Sequence, residues 1–139
     1  MNISARVDNS FGTHRVTLRT NDATRELSIA PKAEGLGSSA NGGELLCLAL
    51  ATCYCNDLYR EARKRGIELR RVEVDVDGTF GAEGTGAERI SYRARITGNA
   101  PTKILTELMR HTDTVAEIQN TLRSACPVDL TATEAESEA

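Results

Sequence analysis

The chain contains no tryptophan and few other aromatic residues. Aromatic side chains make up only 4% of its 139 residues, so it offers little stacking surface for nucleobases. Its net charge of −3 is not the basic excess with which proteins neutralise phosphates. The longest apolar run, residues 45–51, is far shorter than the roughly 20 residues that a membrane-spanning helix needs. We therefore expect neither a nucleic-acid partner nor a membrane span.

No secretory signal is visible, because residues 1–10 lack the required apolar stretch. This predicts a cytoplasmic protein, in which the four cysteines are free, catalytic or metal-bound rather than structural disulfides. Neither a repeat nor a linker interrupts the sequence, so a single domain is predicted at 1–130. Residues 131–139 carry three glutamates and are predicted to be an acidic, disordered tail.

The pattern of apolar residues predicts an α+β fold. Alternation indicates strands at 2–8, 14–20 and 24–30, then a Gly- and Ser-rich loop at 31–42. A long helix is expected from Gly42 or Gly43 to Arg65. Two more strands at 72–76 and 90–96 precede one helix opened by Pro101 and another at 115–124. Strands grouped apart from helices are typical of α+β proteins rather than of doubly wound sheets.

The long helix has clear boundary signals. Asn41 is a good N-cap, Glu44 can complete a capping box, and Gly66 suits the C-terminus. Its first half is apolar on nearly every face and is predicted to be buried all round. Its second half is amphipathic, with Leu58 and Ala62 expected to face inward.

Three cysteines lie within nine positions of this predicted helix. At about 100° per residue, Cys53 points about 200° away from Cys55, whereas Cys47 and Cys55 lie within about 80° of each other. The three thiols therefore do not converge on one point. C-x-x-C pairs are absent and His14 and His111 are far apart, so no metal or other cofactor is expected. Cys47 and Cys55 are interpreted as small buried hydrophobes.

Two segments resemble a known family. ELLCLALATC at 44–53 and RSACPVDL at 123–130 are similar to the two cysteine signatures of the OsmC/Ohr family. That family contains osmotically inducible protein C and the organic hydroperoxide resistance proteins. The predicted order of elements agrees, and the resemblance covers all but the acidic tail. It implies an OsmC-like fold, with antiparallel sheets packed around a long buried central helix, and an intertwined homodimer.

The resemblance also implies a chemistry, the reduction of organic hydroperoxides by a thiol. Cys53 would attack the O–O bond and become a sulfenic acid, and Cys126 would resolve it to a disulfide. A dithiol reductant, of the lipoyl or thioredoxin type, would reopen that disulfide. An apolar lining would favour bulky organic peroxides over hydrogen peroxide.

Such a thiol requires activation. A free thiol with a pKa near 8.5 is only a few per cent ionised at neutral pH, and Cys53 is too far from the helix N-terminus to benefit from its dipole. In the family's peroxidases, an arginine from the N-terminal strands supplies the positive charge. Arg15 is nearest the expected place, and its rivals are Arg6, Arg19 and Arg25.

The same peroxidases hold that arginine with a glutamate that precedes the helix. Counting back from Cys53, this position falls on Gly43, and Glu44 comes one residue later. Glu44 is therefore either a capping residue or a catalytic one.

Two alternatives stay open. The first is a non-catalytic OsmC-like dimer that binds a small apolar ligand at its interface, a function that Gly43 favours. The second is a different thiol enzyme, acting on an activated carbonyl. No base for it is evident, since His111 lies on a predicted helix surface without a partner identifiable from the sequence.

Overall fold

The first three strands form an antiparallel sheet. In the computed structural model, which describes residues 1–138, β1 (Ile3–Ser10), β2 (Thr13–Thr20) and β3 (Ala23–Leu27) pair in that order. Val16 of the middle strand lies opposite Val7 on one side and Leu27 on the other. The three predicted strands are confirmed, although β3 ends earlier than expected.

The apolar face of β1 is open to solvent. Ile3 and Val7 are 68% and 61% exposed, whereas Val16 is buried. Alternation therefore identifies the apolar side of β1, and this side is exposed.

The loop that follows β3 is fixed to the first hairpin. Pro31 and Ser38 form an isolated bridge that closes it. The Asn9 side chain donates to the Gly37 carbonyl over 3.2 Å and accepts from the Gly37 N–H over 3.0 Å. Gly37 has a φ of 109°, a conformation that glycine adopts readily, so the residue suits this close approach.

Helix α1 (Gly42–Lys64) begins where the sequence predicts and ends one residue before the predicted Arg65. The Asn41 N–H donates to Glu44 Oε1 over 3.0 Å, and the Glu44 N–H donates to Asn41 Oδ1 over 2.8 Å. This is the reciprocal capping box. At the other end, Gly66 has a φ of 67°, and the Ile67 N–H donates to the Ala62 carbonyl over 2.9 Å. These are features of a Schellman cap.

Burial along α1 differs from the prediction. Leu58 and Ala62 in the second half are buried, as expected, and Leu50 is also buried. In the first half, however, Leu48 is 55% exposed. The expectation of burial on all sides is therefore wrong for the isolated chain, because its own residues do not cover that side of the helix.

The chain divides into two compact units, with the boundary between Leu48 and Ala49. In the second unit, strands β4 (Leu69–Phe80) and β5 (Ala87–Gly98) form an antiparallel hairpin. Helices α2 (Thr102–Val115) and α3 (Glu117–Arg123) follow. The extent of a single domain at 1–130 stays a prediction.

The core of the second unit joins its helices to the hairpin. Its fully packed members come from α1, from α2 and from the residue before α3: Tyr54, Leu58, Ala62, Leu108 and Ala116. Apolar residues of β4 and β5 pack against them, in register as Val72 with Ile96 and Val74 with Ala94. Tyr54 and Tyr92 meet edge to face, with ring centroids 4.9 Å apart.

The α+β prediction is confirmed, with two antiparallel sheets and three helices in residues 1–138. Among these residues, none of the helices has the length and apolar character that crossing a membrane requires. Residues 131–138 contain no helix or strand. The predicted disorder of this acidic tail stays a prediction.

Candidate thiol site

Cys53 contacts two carboxylates. Its Sγ lies 3.5 Å from Asp57 Oδ2 and 3.8 Å from Glu117 Oε2, and the residue is partly buried. Asp57 follows Cys53 by four residues on α1, so the two side chains share one face of the helix. Glu117 comes from the first turn of α3. The thiol therefore has two acceptors for its proton.

Arg60 binds the same two carboxylates on their other oxygens. Its Nη1 lies 2.8 Å from Asp57 Oδ1 and 2.9 Å from Glu117 Oε1. Its Nε donates to Glu61 Oε1 over 2.9 Å. The thiol, the two carboxylates and the guanidinium thus form one hydrogen-bonded chain, in which the positive charge is separated from the sulfur by the carboxylates.

Glu61 extends this chain along α1. It is buried, and its carboxylate also contacts Lys64 Nζ at 2.9 Å and His111 Nε2 at 3.3 Å. Hydrogen bonds from Lys64 and Arg60 lower the pKa of Glu61 to about 2. The fold thus places His111 beside Glu61, a partner that the sequence does not identify.

The carboxylates make ionisation of the thiol harder. Burial raises the pKa of Cys53, the charges of Asp57 and Glu117 raise it further, and only a backbone hydrogen bond from Ile118 opposes them. Burial and then the neighbouring Glu117 raise the pKa of Asp57 to about 6. The hydrogen bond from Asp57 in turn lowers the pKa of Glu117. Asp57 is thus the member of the pair that takes up a proton, near neutral pH.

Within residues 49–138, no cation contacts the sulfur of Cys53. Arg60 instead binds carboxylates and the Val115 carbonyl. Arg15 is exposed on β2, opposite Asp8. Its rivals Arg6 and Arg19 form exposed ion pairs with Asp8 and Asp22, at 3.7 and 3.8 Å. The activating role predicted for Arg15 stays a prediction.

The other predicted site residues are placed as follows. Glu44 is exposed and caps α1 through Asn41, which confirms its capping role, whereas a catalytic role for it stays a prediction.

Cys126 is exposed just beyond α3, with its Sγ 3.8 Å from the Pro127 carbonyl oxygen. All four cysteines are free thiols, so Cys53 and Cys126 are not joined. Cys47 and Cys55 are partly buried.

Part of this site could have been found in the sequence. Asp57 and Arg60 follow Cys53 by four and seven residues, the spacing at which side chains share a helix face. Glu117 carries no such signal, because only the packing of α3 brings it to the sulfur.

The same geometry bears on metal binding. The ligand atoms of Cys53, Asp57 and Glu117 lie within 4.8 Å of one another. A thiolate and two carboxylates are ligands that divalent metals accept. The argument from the sequence considered cysteines and histidines but no carboxylates, and so missed this combination. Arg60 already binds both carboxylates, so a metal ion would have to compete with its guanidinium.

Two antiparallel sheets and a partly buried thiol on the longest helix agree with the class that the cysteine segments resemble, the OsmC-like proteins. The family model described as OsmC-like protein matches residues 35–131, and the chain belongs to that family. This confirms the resemblance found in the two cysteine segments.

Solved structures agree with this assignment. An OsmC-like protein from Mycoplasma pneumoniae is 19% identical, with a TM-score of 0.58 over 88% of this chain and 89% of that one. An organic hydroperoxide resistance protein from Elizabethkingia anophelis is 18% identical, with a TM-score of 0.59 over 88% and 89%. Another, from Legionella pneumophila, is 17% identical, with a TM-score of 0.58 over 88% and 90%. At these identities the likeness establishes the fold. No curated protein matches the chain.

Proposed function

We propose that this protein reduces organic hydroperoxides, with Cys53 as the attacking thiol and Cys126 as the resolving one. The hydrogen-bonded contact of the Cys53 thiol with the Asp57 and Glu117 carboxylates carries the proposal, because it supplies a proton acceptor at the sulfur. Family membership and two similar structures described as organic hydroperoxide resistance proteins support it.

The carboxylates suggest how the thiol reacts although its pKa is raised. Asp57 accepts the thiol proton as the sulfur attacks the O–O bond, acting as a general base whose pKa of about 6 is close to working pH. The sulfur bonds to one peroxide oxygen, and the O–O bond breaks. The proton then passes from Asp57 to the departing alkoxide. The products are a sulfenic acid on Cys53 and one alcohol, so atoms and electrons balance.

The second step uses Cys126. Its thiol condenses with the Cys53 sulfenic acid to form a disulfide and release water. A disulfide needs Cα atoms about 4.4–6.8 Å apart, so the exposed segment after α3 must bring Cys126 to Cys53. A dithiol of the lipoyl or thioredoxin type would then reduce the disulfide. The four free thiols fit the reducing cytoplasm, which we propose as the location.

Intact mass tests this function. We expect the reduced protein, treated with one equivalent of cumene hydroperoxide, to lose the mass of two hydrogens as the disulfide forms. Cys53→Ser should abolish the change, and Cys126→Ser should stop at the sulfenic acid, which gains one oxygen. Cys47→Ser and Cys55→Ser are matched controls that should behave like the unmodified sequence. Slow, unselective oxidation of all four cysteines would refute the proposal.

A second function is favoured by a specific observation. The sulfur of Cys53 contacts carboxylates rather than a cation, and its pKa is raised, which lowers its reactivity as a nucleophile. The same fold could therefore serve as a non-catalytic dimer that binds a small apolar ligand at its interface. Unselective oxidation in the mass experiment is the result that this second function predicts.

We also propose that the protein works as a homodimer. The first unit exposes large apolar side chains that a second copy would bury, with Ile3 at 68%, Val7 at 61% and Leu48 at 55% exposure. Apolar surface of this kind on folded elements is typical of subunit interfaces. Leu48 lies on an exposed side of the first half of α1, although Leu50 in the same half is buried.

A substitution in α1 tests the dimer. Leu48→Arg places a charge where burial would leave it unpaired, which is costly, so the dimer should dissociate. Light scattering coupled to size exclusion should give twice the chain mass for the unmodified protein and one chain mass for the variant. Leu130→Arg, an exposed leucine outside the first unit, is the control and should remain dimeric. A monomeric unmodified protein would contradict the proposal.

A further inference from the structure

The proposed peroxidase steps give no role to Arg60, although all three nitrogens of its guanidinium are hydrogen-bonded. Its Nε donates to Glu61 Oε1 over 2.9 Å, and its Nη1 lies 2.8 Å from Asp57 Oδ1 and 2.9 Å from Glu117 Oε1. Its Nη2 donates to the Val115 carbonyl oxygen over 3.4 Å. These partners lie on α1, at the end of α2 and at the start of α3. One side chain therefore joins three helices beside the thiol.

The two oxygens of each carboxylate have different partners. Arg60 binds Oδ1 of Asp57 and Oε1 of Glu117. The Cys53 sulfur lies 3.5 Å from the other oxygen of Asp57, Oδ2, and 3.8 Å from the other oxygen of Glu117, Oε2. Because a carboxylate is planar, a charge-assisted hydrogen bond that fixes one oxygen also restricts where the other can lie. The oxygens that face the sulfur are therefore held in place from the opposite side, by the guanidinium.

Arg60 is itself fixed by Glu61. The hydrogen bond from Nε sets the plane of the guanidinium, and with it the directions in which its other nitrogens donate. Glu61 is buried, and Lys64 at 2.9 Å and His111 at 3.3 Å also contact its carboxylate. The side chain of Arg60 is 37% exposed, so these contacts keep it on the carboxylates rather than in solvent.

The charge of Arg60 also acts on the proposed base. Among the described residues of the second unit, the titratable groups that face Asp57 are Cys53 and Arg60 from α1 and Glu117 from α3. Burial raises the pKa of Asp57 to about 6, Glu117 contributes to this rise, and Arg60 opposes it. The guanidinium therefore keeps Asp57 ionised to a lower pH than burial and Glu117 alone would allow.

We propose that Arg60 is a positioning residue of the thiol site, whose guanidinium holds Asp57 and Glu117 so that one oxygen of each carboxylate faces the Cys53 sulfur. It contacts neither the sulfur nor the peroxide and acts through the two carboxylates. The consequence for the rate rests on the proposed peroxidase function, whereas the consequence for the ionisation of Asp57 does not. The two are therefore measured separately.

The ionisation of Asp57 is followed by carbon-13 NMR of the side-chain carboxyl groups. In Arg60→Met, we expect the titration midpoint of Asp57 to rise by about one pH unit, because a nearby opposite charge lowers the pKa of a carboxyl group by about that much or more. Glu117→Gln removes a negative charge from the same surroundings and should lower the midpoint. Changes of opposite sign distinguish this electrostatic effect from a general loss of structure.

The rate of reaction with cumene hydroperoxide reports the geometry. At about pH 8 Asp57 is largely ionised in every variant, so a loss of rate there comes from misplaced carboxylates rather than from protonation. We expect Arg60→Met to react about tenfold more slowly than the unmodified protein at this pH. Arg60→Lys should keep the Asp57 midpoint near the unmodified value, because it keeps the charge. It should still react more slowly at about pH 8, because an ammonium group does not reproduce the planar guanidinium.

Arg93→Met is the matched control. Arg93 also binds two carboxylates, those of Asp75 and Asp77, but its side chain is 74% exposed and lies outside the thiol site. This substitution should leave both the Asp57 midpoint and the rate unchanged.

Should Arg60→Met not fold, Glu117→Gln and Arg60→Lys decide. An Asp57 midpoint that fails to rise in Arg60→Met or to fall in Glu117→Gln would overturn the proposal, and so would a full rate of Arg60→Lys at about pH 8. If the midpoints move as expected but the unmodified protein does not react with the hydroperoxide, the peroxidase function fails and the holding of the carboxylates by Arg60 is supported.

Discussion

Replacing Asp57 by asparagine is expected to slow the reaction of Cys53 with cumene hydroperoxide by about a hundredfold, a typical contribution of a general base. Asparagine keeps the shape of the side chain, but its amide does not accept the thiol proton from the 3.5 Å position that Asp57 Oδ2 occupies. Stopped-flow measurement of thiol loss at pH 7 gives the rate constant. Asp75→Asn, an exposed carboxylate of β4, is the control and should leave the rate unchanged.

The pH dependence of this reaction identifies the role of the carboxylate. Asp57 acts as a base only when it is ionised, and its pKa is raised to about 6. The rate constant of the unmodified protein should therefore increase as the pH rises through about 6. This increase should be missing in Asp57→Asn. If the carboxylate only repelled the thiolate, its removal would lower the pKa of Cys53 and speed the reaction. A faster variant would thus contradict the general-base mechanism.

Replacing Arg60 by methionine is expected to destabilise the protein by about 2–3 kcal/mol, because it leaves the buried carboxylate of Asp57 without its cation. Glu117 loses the same partner, whereas the buried Glu61 keeps its contact with Lys64. Arg60 is itself 37% exposed, so the loss should be smaller than for a fully buried ion pair. The free energy of unfolding from urea titration at pH 7.5 is the measurement.

Two controls distinguish this network from ordinary surface pairs. Arg60→Lys keeps the charge, but one ammonium group does not reproduce the planar guanidinium that reaches three carboxylates. Part of the loss in unfolding free energy should therefore remain. Arg93→Met removes pairs with Asp75 and Asp77 at 3.5 and 3.6 Å, from a side chain that is 74% exposed, and should cost less than about 1 kcal/mol. The loss of unfolding free energy in Arg60→Met should become smaller towards pH 5, because Asp57 is then protonated and no longer needs a cation. Equal losses in Arg60→Met and Arg93→Met would contradict the interpretation.

Local signals in the sequence predicted the elements well. The Asn41 and Glu44 capping box and the cap at Gly66 fixed the ends of α1, because both depend on contacts between residues close in the chain. Alternation likewise located the strands. It identified the apolar side of β1 but not what covers it, and Ile3 and Val7 on that side are exposed.

The candidate site was predicted only in part. The cysteine motif indicated Cys53, and the helical spacing contains Asp57 and Arg60. The partners that come from other elements were beyond the reach of the sequence, because they depend on how α2 and α3 pack on α1. Glu117 at the sulfur and His111 beside Glu61 are the two examples.

The acidic surroundings of Cys53 also bear on how far its sulfur can be oxidised. A sulfenic acid is largely neutral, but a sulfinic or sulfonic acid places a permanent negative charge on the sulfur. At Cys53 that charge would lie about 4 Å from the oxygens of Asp57 and Glu117, where like charges repel strongly. The same carboxylates that accept the thiol proton should therefore protect the residue from irreversible overoxidation.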